Sequence, residues 1–217
     1  SLKAAKVDAI VVDLRSNGGG SLMEAIDLTG LFLKQGPVVQ VRDTKNKIEV
    51  GEDDDPSILW DGPMAVLIDR FSASASEIFA AAIQDYGRGI IIGTQSYGKG
   101  TVQNSIDLDQ MMGEGASKVI GNTNKFGQIN LTIAKFYRIN GSSTQHKGVS
   151  PDISFPMVFA ADKYGESAEP AALPWDEIKR SNYKTLANIA PIKRVLIEKH
   201  DKRMKGSKDF EYLLADI

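Results

Sequence analysis

Apolar positions along this chain recur with two different periods, and the changes of period mark its elements. Val7-Asp8-Ala9-Ile10-Val11-Val12-Asp13-Leu14 is a short, β-branched, nearly continuous apolar run. It predicts a strand buried on both faces, as in a parallel sheet. Arg15-Ser16-Asn17-Gly18-Gly19-Gly20 ends it, and Leu22, Ala25, Ile26, Leu28, Phe32 and Leu33 then follow at helical spacing until Gly36-Pro37 stops the helix. Val38 to Arg42 predicts a second strand. The polar stretch 43–63, with its acidic run Glu52-Asp53-Asp54-Asp55, reads as a surface excursion. Met64 to Asp69 is the next buried strand. Ser72-Ala73-Ser74-Ala75-Ser76-Glu77 opens a helix that runs to about Tyr86, with Gly87 as its stop. Ile90-Ile91-Ile92 is a further strand, so the order predicts an α/β sheet with crossover helices.

The period changes again in the second half. From Gln128 to Arg138, Ile129, Leu131 and Ile133 alternate with Asn130 and Thr132, which predicts a half-exposed antiparallel strand with a turn at Asn140-Gly141. Residues 160–175 are rich in Ala, Pro and Glu and read as a linker. Residues 176–217 are basic, with apolar positions at loose helical spacing, and predict two or three helices broken at Pro191 and Gly206-Ser207. The expected organisation is a main α/β unit over 1–159, the linker, and a basic helical C-terminal region.

Composition narrows the chemistry. The chain has 217 residues, 42% hydrophobic and 25% charged, which suits one sizeable soluble domain with a small appendage. A net charge of −2 gives no electrostatic reason to expect nucleic acid as a partner. No apolar run approaches the roughly 20 residues that span a bilayer. The chain opens at Ser1-Leu2-Lys3 rather than at methionine and reads as a fragment or processed form. With no cysteine and only His146 and His200, it excludes disulfides, cysteine nucleophiles and zinc sites built on several imidazoles. No metal or cofactor is expected.

What remains is a serine of the tract Ser72-Ala73-Ser74-Ala75-Ser76-Glu77, followed at a distance by the lysine between glycines in Ser96-Tyr97-Gly98-Lys99-Gly100-Thr101-Val102-Gln103. A hydroxyl supplies a nucleophile, and a lysine held neutral takes its proton. With an unperturbed pKa of ~10.4, that lysine has to be lowered by burial. Gln103 is placed to accept from its amine. A serine where a strand turns into a helix sits beside unpaired N–H groups, so the N–H after it is one oxyanion donor. The glycines at 18–20 end a strand at the same edge of the sheet and offer a second. The three serines of the tract are not ranked by this argument, and a helix cap is the plainer reading of each. Gly93 to Lys99 has Walker A spacing, but Gly100 stands where Ser or Thr is needed, and the Gly-x-Ser-x-Gly elbow is absent.

Three segments together, Val11 to Gly20, Asp69 to Ile78 and Tyr97 to Gln103, closely resemble the C-terminal processing peptidases, particularly their bacterial tail-specific branch. Gly148-Val149-Ser150-Pro151-Asp152 also fits, and the likeness covers about residues 7–156. The resemblance implies Ser74 as nucleophile, Lys99 as general base and Gln103 as its orienting partner. It further implies Gly20 and Ala75 as oxyanion-hole donors, Asp85 as structural support, and a crotonase-like α/β spiral sheet with crossover helices. As substrates it implies proteins with apolar, unstructured C-termini, cleaved in the bacterial periplasm or envelope, with an envelope adaptor protein as a further partner. Family members carry a PDZ domain and other elements before the Asp13-Leu14-Arg15 strand, so the fragment alone is expected to be poorly active. Two other readings are weighed against this one. A non-catalytic peptide-binding module has no need of Ser74, Lys99 and Gln103 together, and an acyl-CoA enzyme of the same broad fold would need a basic cluster near the glycines, which the chain lacks.

Overall fold

In the computed structural model, which describes residues 4–109, 111 and 126–217, the strands assort into two four-stranded sheets. The first is parallel, in the order β1 (Ile10–Asp13), β4 (Met64–Ile68), β5 (Ile90–Gly93), β8 (Ile153–Ser154). The second is antiparallel, in the order β3 (Ile48–Asp53), β2 (Gly36–Asp43), β7 (Gln128–Tyr137), β6 (Thr101–Asp107). Helix α1 (Leu22–Gly30) follows the glycine loop and is capped by Ser21, whose Oγ accepts from the Glu24 N–H at 3.3 Å.

Helix α2 (Ala75–Asp85) explains its own composition. Phe79, Ala80, Ala81 and Ile83 pack with Val66, Ile68 and Ile91 of the parallel sheet. Ile78 and Ala82 pack with Val38, Val39 and Phe136 of the antiparallel one. A helix apolar all round is a buried helix, and its alanines let both layers approach closely. Gly87, at φ +65°, ends it in the left-handed conformation that glycine adopts without strain.

Two expectations are corrected here. β1 is not buried on both faces: it is an edge strand, with Ile10 and Val12 against the core and Val11 60% exposed. Its apolar run therefore belongs to a strand covered on one face. The stretch 43–63 is not merely a loop, because it contains β3, which pairs with β2. Asp43 Oδ1 accepts from the N–H groups of Lys45 and Lys47 at 2.8 Å each, and Asn46 takes φ +62°, so a hairpin turn forms locally among charged residues that mask the strand.

Residues 160–175 hold a short helix, α3 (Ala161–Tyr164), and a 3-10 turn, Glu166–Ala168, lying on the main unit. The following segment is tied down at Asp176, which accepts from Arg42 at 2.6 Å, from Tyr137 Oη at 3.1 Å and from Lys135. Helices α4 (Ala190–Met204) and α5 (Lys208–Asp216) close the chain. Pro191 lies in the first turn of α4, where its missing N–H costs nothing. No helix among the described residues is long and apolar enough to cross a membrane.

Candidate active site

The fold separates the three serines that sequence alone leaves equal. Ser72 is fully buried, donates to the Leu14 carbonyl at 2.8 Å and accepts from the Asp69 N–H. Ser76 is buried and donates to Asn17, at 3.1 Å to its carbonyl and 3.0 Å to its Oδ1. Both are structural staples. Ser74 stands immediately before α2 with φ 58° and ψ −115°, a conformation costing a non-glycine residue about 1–3 kcal/mol. Ser74 lines a cavity of about 480 Å³ together with Gly20, Ala75, Lys99 and Gln103.

Main-chain donors are present at this turn. Ala75 N–H is the first of α2 and has no intrahelical acceptor. Among the described residues, neither it nor Gly20 N–H is engaged by a hydrogen bond. Gly19, at φ +104°, packs so tightly that an added Cβ would lie 2.8 Å from both the Ala73 carbonyl and Ser74 Cβ. Asn17 pins the same corner: its Oδ1 accepts from Gly19 N–H and its carbonyl from Ala73 N–H, each at 3.0 Å. The glycine loop is thus fitted against the serine turn, at the carboxyl end of β1.

The lysine loop is held differently. Glu77, three residues into the tract's helix and fully buried, accepts from Ser74 N–H (2.8 Å), Ser96 Oγ (2.6 Å), Gly98 N–H (2.7 Å) and Lys99 N–H (3.0 Å). Burial pushes its carboxyl up to about 7, against the pull of these donors toward the ionised form. On the other side, His146 N–H donates to the Gly98 carbonyl and Thr144 Oγ1 to the Lys99 carbonyl. Gly100 N–H donates to Gln145 Oε1 at 2.8 Å, and its carbonyl accepts from Phe136 N–H. Every backbone donor and acceptor of Gly98, Lys99 and Gly100 therefore has a partner. Glu77, Gln145 and Ser96 escaped the sequence reading; for Glu77 the signal existed, since Ser74-x-x-Glu77 is capping-box spacing.

Lys99 Nζ donates to Gln103 Oε1 at 3.2 Å. Val102 pairs with Ala134 and Gln103 with Thr132, so Ile133 is an extra residue, and the bulge bends the ribbon at Gln103. Lys99, Thr101 and Gln103 also line a second lobe of about 470 Å³ that reaches Glu166, Glu169 and Leu173. Ser74 and Lys99 share the first lobe, but no hydrogen bond joins their side chains. Asp85 lies at the far end of α2, about 16 Å away by helical rise. It accepts from Arg138 Nη2 (2.6 Å) and Nε (3.0 Å) and from Asn140 (3.0 Å), an arrangement that fastens α2 to the end of β7. Of the two histidines, His146 contacts Ser167 and His200 packs against Phe155 and Phe210.

The two sheets with a buried helix between them, and a strained serine that lines one cavity with a lysine, define an α/β molecule with a crevice beside that helix. The chain belongs to peptidase family S41, which residues 1–155 match, and residues 159–217 match the family described as the C-terminal domain of tail specific protease. It is 49% identical over 225 residues to the Tail-specific protease of Haemophilus influenzae, covering 100% of this chain and 30% of that one. With the Carboxy-terminal-processing protease of Bartonella bacilliformis it shares 43% identity over 149 residues, 68% of this chain and 31% of the other. Among solved structures it resembles the photosystem II D1 C-terminal processing protease, with a TM-score of 0.58, 30% identity, and coverage of 77% of this chain and 40% of that one. The chain spans about a third of the length of the curated relatives it matches.

Proposed function

We propose that this chain is the catalytic portion of a serine endopeptidase working through a Ser74–Lys99 dyad. Lys99 Nζ accepts the Ser74 proton as Oγ attacks the peptide carbonyl, and the oxyanion is received by the N–H groups of Gly20 and Ala75. Collapse breaks the C–N bond, the leaving amine takes the proton from Lys99, and an acyl ester remains on Ser74. Water, giving a proton to Lys99, then attacks the acyl carbon. The ester C–Oγ bond breaks, Ser74 Oγ takes that proton back from Lys99, and the new C-terminus leaves as its carboxylic acid and ionises. Gln103 orients the amine, and Asp85 supports α2 from its far end. No cofactor enters this scheme.

The observation that carries the reading is that Ser74, Lys99, Gly20 and Ala75 line one cavity, with both main-chain donors free of other partners. Leu22, Ile78, Val102 and Phe136 form the apolar wall of that lobe, which supports apolar side chains as ligands. Substrates are then proteins with apolar, unstructured C-termini, met in the bacterial envelope with an adaptor protein; the names of the relatives speak to the C-terminal processing alone. In this reading residues 1–159 are the catalytic unit, the parallel sheet and its crossover helices belong to a crotonase-like spiral, and residues 176–217 are its helical extension.

The test is cleavage of a peptide ending in apolar residues by the natural full-length protein and by its Ser74→Ala and Lys99→Ala forms. Loss of product in both is expected. Undiminished turnover in either removes the dyad, whereas no cleavage by the parent protein itself favours the peptide-binding reading.

A further inference from the structure

The lysine loop is clamped by α2 on one side and, on the other, by a side chain whose own orientation is set from the C-terminal region. Gly100 N–H can only donate, so the end of the Gln145 amide that meets it must be Oε1. The opposite end, Nε2, then has to donate, and it points at Glu166 Oε1, 2.9 Å away. Gln145 is fully buried and Glu166 is 8% exposed, so water is a poor substitute for either. Glu166 is also fixed to the same loop through its backbone, its N–H donating to the Tyr97 carbonyl at 3.1 Å. Remove the carboxylate and the amide is free to turn over, which sets a donor against the Gly100 donor.

We infer that Glu166, which lies within the residues matching the C-terminal domain of tail specific protease, is a positioning residue for the reaction: through Gln145 it holds the backbone that carries Lys99. The inference rests on the peptidase reading of Ser74 and Lys99. It gives the segment after the main unit a part in catalysis, because a misplacement of order 1 Å at a reacting group can cost about a hundredfold in rate. Glu166 does not touch the dyad; it acts through Gln145.

The experiment uses the natural full-length protein, with peptide-cleavage kinetics and hydrogen exchange of the peptide spanning residues 97–101. Glu166→Ala is expected to lower kcat about 30-fold, with KM within about twofold and faster exchange at 97–101. Glu166→Gln, whose amide oxygen can still accept from Gln145, is expected to keep kcat within about threefold. Gln145→Glu alone should lose activity by bringing two carboxylates together, and adding Glu166→Gln should restore it. As a control, Lys193→Ala cuts the 2.5 Å bridge from α4 to Asp152 and should change neither readout. Parental kcat in Glu166→Ala overturns the inference, as does a loss in Glu166→Gln equal to that in Glu166→Ala. If Glu166→Ala fails to fold, the Gln145→Glu, Glu166→Gln pair decides, rescue supporting the brace and its absence sinking it. Cleavage that survives Ser74→Ala defeats the Ser74–Lys99 dyad instead, and exchange at 97–101 still judges the brace.

Discussion

The two loops that meet at the cavity are built on opposite plans. Around Lys99, all six backbone polar groups of residues 98–100 are engaged, by α2, by β7 and by the 144–146 turn. The glycine loop at 18–20 is exposed and keeps its shape through Asn17 and the close packing of Gly19, leaving the Gly20 N–H unpaired. The contrast follows from what each is proposed to do. A proton acceptor has to stand at one spot, so its backbone is immobilised, whereas an oxyanion donor has to be vacant until the oxygen arrives.

The largest effect expected on this contrast comes from Glu77→Ala, which strips four donors of one buried acceptor. At about 1–3 kcal/mol for each group left unsatisfied, with some regained by relaxation, a loss of about 4 kcal/mol is expected. Cleavage should fall about a hundredfold with it. Urea denaturation and peptide kinetics measure the two, and a midpoint close to the parent's breaks the claim that Glu77 holds the loop. Next comes Gly19→Ala. A methyl group there meets Ala73 O and Ser74 Cβ at 2.8 Å in a left-handed backbone, so about 2 kcal/mol and a tenfold drop in kcat are expected.

A subtler lever is pH. Protonating Glu77 removes an acceptor from the loop, so kcat/KM should fall as pH drops through about 7, a limb that Glu77→Gln abolishes. The stability term has the opposite sense. The folded state binds this proton more tightly than the unfolded chain, so the stabilisation is complete below about pH 4.5 and is lost as pH rises to about 7. Melting temperatures of parent and Glu77→Gln across that window test the sign. Smallest of all should be Gly18→Ala, where an added Cβ meets nothing within 4 Å: stability is expected to stay within about 0.5 kcal/mol by thermal melting. A large loss there would mean the glycine loop is as tightly fitted as the lysine loop.

Helix α2 and its Gly87 stop, the strands at 64–68 and 90–93, and the half-exposed strand ending at Tyr137 were all legible from period and punctuation. So was the pairing of Gln103 with Lys99. β3 was hidden because only Ile48 and Val50 mark it amid charged neighbours, and the edge position of β1 was hidden because an apolar run does not say how many of its faces are covered. The ranking of the three serines was also out of reach of the residues alone. It depends on where Leu14, Asn17 and Lys99 lie around the turn.

Residue order by itself determined the local devices of this molecule: the αβ alternation, the capping spacing from Ser74 to Glu77, and the glycines flanking Lys99. These are written within a few positions of one another, at the range over which backbone propensity and side-chain caps act. Only the tertiary structure decided which groups close on the lysine loop. Its acceptor Gln145 lies 45 positions from Gly100, and the Glu166 that orients that amide lies 21 further on. Partners so far apart are chosen by the packing of both sheets around a buried helix, because a buried polar group takes whichever partner the folded layers bring within reach.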